Sequence, residues 1–227
     1  AGAKSPERDV SILSTLNVPE LAAGENIEKP ITALAFSPTG TRAVARFSSV
    51  KVGKQALAGH PGKINSISFS KDGKRVVTAT GVTGLSGEAF LWDVETGKLI
   101  RRFTGEHRDI LFDAELSPDG AILATAGYDR SIKVWETGSG KLLRTIEGHN
   151  GAIYDIAFSP DGSVLASAGG DASVKLWQVS TGLRLDTLGQ PTGEQFNVAF
   201  TPDSRFIVAS GADKQIRLWK WISREKP

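Results

Sequence analysis

Histidine, a hydroxyl residue and aspartate occur together twice in this chain of 227 residues, as His149, Ser167 and Asp171 and again as His107, Thr125 and Asp129. In a hydrolase such a trio supplies a nucleophile, the base that takes its proton and the carboxylate that orients the base. The chemistry also needs donors for an oxyanion and a nucleophile open to substrate, and the sequence supplies neither. A tryptophan follows each trio, Trp177 and Trp135, so the same set appears in more than one place. Repetition of a polar set is what a structural unit produces, each buried group satisfying another. The sequence therefore assigns no catalytic residue.

The elements that must hold these groups are strands. Residues 152–158 carry Ile153, Ile156 and Phe158 on one apolar face, Ser159-Pro160-Asp161-Gly162 is turn chemistry, and Val174 and Leu176 alternate with Lys175. The pattern recurs. Trp92, Trp135, Trp177 and Trp219 are 43, 42 and 42 residues apart. The turn returns as Ser37-Pro38-Thr39-Gly40, Ser70-Lys71-Asp72-Gly73, Ser117-Pro118-Asp119-Gly120 and Thr201-Pro202-Asp203-Ser204. Gly59-His60, Glu106-His107 and Gly148-His149 precede three of the units.

A period in the low forties, opened by Gly-His and closed near Trp, resembles the WD-repeat family of β-propellers over roughly residues 30–222. The resemblance implies an all-β propeller of about five four-stranded antiparallel blades, starting near residues 31, 64, 109, 152 and 195. It also implies that His149, Ser167, Asp171 and Trp177, like His107, Thr125, Asp129 and Trp135, form hydrogen-bonded structural tetrads. The second blade keeps His60 and Trp92 but places Ala79 at the hydroxyl position and an insertion where Asp would stand; the fifth has Pro191 for His and Ala209 for the hydroxyl. Burying each tryptophan is worth on the order of 4 to 6 kcal/mol at most, so these rings read as packing, not as a cofactor box. The regular turns look like those of bacterial WD-repeat proteins, some of which carry a haem domain elsewhere; no haem motif lies in this chain.

Composition narrows the function classes. A net charge of +2 with no basic block argues against a nucleic-acid surface. No cysteine is present, so thiolate chemistry and disulfides are excluded. No apolar run approaches the ~18 residues that span a bilayer, and no signal peptide is visible, which leaves cytoplasm and periplasm both open. Methionine is absent even at position 1, as expected of a processed chain or a piece of a longer one. The histidines fall at equivalent places in different repeats, too far apart to share a metal. Gly138-Ser139-Gly140-Lys141 lacks the spacing of a phosphate-cradling loop. Neither cofactor nor metal is expected.

Taken in order, residues 1–29 form an N-terminal arm in which 10–16 reads as a strand, and 30–227 hold the repeats. The last repeat has too few residues left for an outer strand. Residues 10–16 either fill that place or belong to a loose arm. Blade one has an abbreviated outer half, and blade two carries a surplus at 81–87 between its second and third strands. Five blades either close a compact ring or belong to a larger one.

Binding, on this reading, falls on rim loops. The family resemblance points to the rim that bears the loops before each first strand and between strands two and three. There the first strands present Thr32, Asn65, Phe112, Tyr154 and Phe196, with Asp113, Asp155 and Asn197 immediately after the three aromatics. Aromatics beside polar anchors suit a protein or peptide partner that presents a basic or amphipathic side chain. Loop 82–87, Tyr128, Arg130 and Lys214 belong to the same rim. The oligomeric state is not specified by these residues.

Overall fold

The computed structural model describes residues 30–221. Among the described residues nineteen strands make five antiparallel sheets. The first contains β1 (Ile31–Phe36), β2 (Arg42–Arg46), β3 (Ser49–Val52) and β4 (Gln55–Leu57), and the second β5 (Ser66–Phe69), β6 (Arg75–Val82), β7 (Ser86–Asp93) and β8 (Leu99–His107). The third contains β9 (Leu111–Leu116), β10 (Ile122–Gly127), β11 (Ser131–Glu136) and β12 (Leu142–Glu147). The fourth contains β13 (Ile153–Phe158), β14 (Val164–Gly169), β15 (Ser173–Gln178) and β16 (Arg184–Leu188). The fifth has β17 (Gln195–Phe200), β18 (Phe206–Gly211) and β19 (Ile216–Lys220). Strands lie in each sheet in sequence order, so every connection within a sheet is a hairpin. No helix long and apolar enough to cross a membrane occurs among the described residues.

The Ser-Pro-Asp-Gly segments form the turns between first and second strands. In sheet four, Ser159 Oγ donates to Asp161 at 2.5 Å and accepts from the Val164 N–H at 3.0 Å, while the Gly162 N–H closes on Ser159 O at 2.8 Å. Gly162 sits at φ 75°, where a side chain is strained. Sheet five makes the same turn with Thr201 and Asp203, and Ser204 takes the left-handed position at φ 58°.

Sheets pack face to face in chain order. One apolar cluster joins Val50, Val52 and Leu57 of sheet one to Ile67, Val76 and Trp92 of sheet two. The next joins Val77 and Leu91 to Leu116 and Trp135. A third places Ile132 and Ile146 against Ile153, Phe158 and Trp177, and a fourth Leu176 and Val174 against Val198 and Ile207. Trp92, Trp135 and Trp177 are buried in these clusters, while Trp219 is half-buried against the fourth.

The surplus in the second repeat is not a loop excursion. β6 and β7 absorb it as a longer hairpin, in which Gly81 pairs with Gly87 and Val82 with Ser86, leaving only residues 83–85 as the turn. The Gly84 N–H donates to Asp109 of the next sheet at 2.9 Å, which ties the tip down. Sheet one does have a short outer half, with β3 and β4 of four and three residues. Sheet five has no fourth strand among the described residues, and residues 10–16, expected as its partner, lie outside them.

Candidate functional site

The recurring polar sets form two linear hydrogen-bond chains. In sheet four the His149 Nδ1–H donates to Asp171 at 2.9 Å, so Nε2 accepts from the Ser167 hydroxyl at 2.7 Å, and Trp177 Nε1–H donates to Ser167 Oγ at 2.8 Å. Sheet three repeats it: His107 to Asp129 at 2.9 Å, Thr125 to His107 at 2.8 Å and Trp135 to Thr125 at 2.9 Å. Gly169 makes room for the set, since a Cβ there would meet His149 Nδ1 at 2.6 Å.

Electrostatics fit a structural part. Burial would raise the Asp171 carboxyl, but hydrogen bonds from Lys175, Ser173, the Asn150 N–H and His149 hold it well below the usual carboxylate range. Burial lowers His149 despite its aspartate, so the imidazole is neutral. Ser167 is 0% exposed and its hydroxyl is already engaged, so no substrate reaches it. Among the described residues no group of three His, Cys, Asp or Glu is placed to hold a metal.

Sheet two differs from expectation in one residue. His60 pairs with Thr78 at 2.9 Å, and Trp92 donates to the same hydroxyl at 3.2 Å; Ala79, expected at that place, lies in the apolar cluster instead. Thr78 follows its turn residue Ser70 by the same eight positions that separate Ser159 from Ser167, and that count identifies it. Burial pushes His60 down to about 4. In sheet five an ion pair of Asp213 with Arg217 at 2.5 Å takes the place of the chain, and Ala209 packs in the core.

The rim residues divide. Phe112 and Tyr154 meet at 5.3 Å between ring centroids, Tyr154 and Phe196 at 5.5 Å, and Phe112 and Tyr128 at 6.3 Å. Four rings thus form an unbroken strip across sheets three, four and five. Its ends are open, Tyr128 57% and Phe196 42% exposed, while Phe112 and Tyr154 are half-buried between them. Asn197 is exposed beside Phe196.

Asp113, Asp155 and Asn65 make hydrogen bonds to neighbouring strands. Asp113 accepts from Ser66 Oγ at 2.5 Å and from the Ile156 N–H at 3.1 Å; Asp155 accepts from the Val198 N–H at 2.7 Å; Asn65 donates to Leu111 O at 2.7 Å. Each ties one innermost strand to the next. Glu115, which sequence reasoning passed over, does the same with the Phe158 N–H at 2.9 Å. The signal was there: β9 alternates Asp113 and Glu115 in a strand whose other positions are mostly apolar. Burial, then the Asp113 charge, raises Glu115 to about 8, and burial with Asp113 raises Asp155 to about 9.

Two rings of the strip, Tyr128 and Tyr154, line a hollow of about 620 Å³ together with Arg108, Asp129, Arg130 and Glu194 and residues 150–152 and Gly170. All of these belong to loops or first strands at one end of sheets three to five. Arg108 and Glu194 were not foreseen, because each is a single charge in a loop.

The family model described as "WD domain, G-beta repeat" matches residues 51–93, 97–136, 140–178 and 184–220. Among curated proteins the chain is similar to the transcriptional corepressor LEUNIG_HOMOLOG of Arabidopsis thaliana, 36% identical over 38% of this chain and 10% of the relative. WD repeat-containing protein 36 of Homo sapiens is 36% identical over 39% of this chain and 10% of its own length. The U5 small nuclear ribonucleoprotein 40 kDa protein of Dictyostelium discoideum is 33% identical over 42% and 26%. The chain thus spans between a tenth and about a quarter of these relatives. All three are eukaryotic, so the bacterial likeness drawn from the turns gains no support.

Proposed function

Because the chain belongs to the WD-repeat family, whose members generally serve as protein-interaction scaffolds, we propose that it is a non-enzymatic scaffold that binds a protein or peptide on the rim formed by sheets three to five. The observation that carries this reading is the strip Tyr128–Phe112–Tyr154–Phe196. A monomeric surface gains little from four aromatics in line, whereas interfaces are enriched in them because rigid rings bury much area at small entropic cost. The tetrads take no part in binding; they hold the loops that frame the strip.

Peptides selected from a random display library against the intact chain test the reading. Hydrogen exchange with a selected peptide bound should slow at residues 108–112, 128–130 and 150–154. Protection confined to other faces would contradict it. A second reading, a non-catalytic module within a larger enzyme or electron-transfer protein, rests on the likeness of the turns alone; the chain spans about a tenth of two of its relatives. The two agree on the rim and differ on what lies beyond the chain.

A further inference from the structure

Charge around the strip is distributed unevenly, and this bears on what the rim can accept. Asp113 accepts from Ser66 Oγ and the Ile156 N–H, and Asp155 accepts from the Val198 N–H through one oxygen, so the carboxylates closest in sequence to the aromatics are engaged with neighbouring strands. Asp129 is likewise occupied, by His107, the Arg108 N–H and Ser131. Arg108 and Arg130 line the hollow and are exposed, and neither guanidinium has an ion pair or side-chain hydrogen bond among the described residues, although Asp129 and Glu147 stand nearby. Arg130 occupies a left-handed turn position, φ 67°, in the β10–β11 loop. Glu194 stands at the other end of the hollow, its carboxylate 3.4 Å from the Tyr154 hydroxyl. The hollow is therefore cationic on the side of sheet three and anionic on the side of sheet five.

We propose that the partner is an acidic extended segment of another protein, bound with one orientation: a carboxylate between Arg108 and Arg130, an apolar side chain over Tyr128, Phe112 and Tyr154, and a neutral or basic residue toward Glu194. Guanidinium groups recognise carboxylates through paired N–H donors, and complementary charge at a rim sets orientation and excludes the opposite sign. This rests on the rim reading above and reverses the charge expected from sequence alone, where the aspartates beside the aromatics favoured a basic ligand.

The test uses the full chain and fluorescein-labelled ten-residue peptides in which Phe and Leu alternate with Glu, with Gln or with Lys, followed by fluorescence anisotropy at low and moderate salt. The Glu peptide should bind most tightly, weaken as salt rises, and lose about tenfold or more in affinity on the double substitution Arg108→Glu, Arg130→Glu. Both sites are exposed loop positions, so an unchanged melting temperature should confirm the fold. Equal or tighter binding of the Lys peptide, or a Glu peptide indifferent to the charge reversal, overturns the acidic assignment. Should binding then still be lost in Phe112→Ala and Tyr154→Ala, the rim survives with a different partner chemistry. Indifference to those two substitutions as well removes the rim reading and this proposal with it.

Discussion

Deleting the Ser167 hydroxyl would leave His149 Nε2 and Trp177 Nε1 without the partner that both now share. A buried group stripped of its partner costs about 1 to 3 kcal/mol, so Ser167→Ala should lower unfolding stability by about that amount, read by urea denaturation, with Thr125→Ala behaving alike. A nucleophile's removal would instead leave stability near normal. The same groups set an acid limb. His60 is depressed to about 4 from 6.5, and His149 is depressed too; each contributes stability present above 6.5 and lost as pH falls toward the folded-state value. These sets were legible in the sequence because their spacing repeats. Thr78 escaped because the insertion in its repeat disturbed the alignment from the tryptophan side, while the distance from the turn stayed constant.

The innermost strands β9, β13 and β17 are joined by carboxylates. Glu115 and Asp155 are raised to about 8 and about 9 from 4.5 and 3.8, so their contribution is fully present below those ordinary values and is lost as pH rises through the raised ones. Between about 4.5 and 6.5 this loss opposes the gain from the histidines; above 6.5 only the carboxylates act. The melting temperature should therefore be level in the mildly acidic range and decline toward pH 9, as followed by differential scanning fluorimetry. Asp155→Asn keeps an oxygen for the Val198 N–H and removes the charge, so it should flatten part of the alkaline decline; a variant that melts lower than wild type at pH 9 would contradict this. Strand positions were readable from alternation and turns. The direction of Asp113 and Asp155 was not, because a period of two assigns a side chain to a face without saying which neighbour's backbone it meets.

Five sheets are joined by four apolar clusters, and among the described residues no fifth cluster links sheet five to sheet one. The end sheets accordingly show apolar side chains, Phe36 62% exposed on one and Ile216 79% and Leu218 59% on the other. Open apolar faces of this kind associate, and light scattering should return a mass above 24.1 kDa that falls toward it in Phe36→Glu combined with Leu218→Lys. A monodisperse wild-type chain at 24.1 kDa would mean that a segment outside the described residues covers those faces. Repeat number was legible from the tryptophans and turns, whereas closure is a property of surfaces that no single repeat contains. The central claim is that the repeated polar sets hold the fold and the aromatic strip does the binding. The most direct measurement is the affinity of one display-selected peptide for Tyr154→Ala and for Ser167→Ala, side by side with their unfolding stabilities. The account predicts that Tyr154→Ala loses about tenfold or more in affinity with little change in stability, while Ser167→Ala loses stability and, where folded, binds as wild type. The reverse pattern, with binding abolished by Ser167→Ala and untouched by Tyr154→Ala, would contradict it.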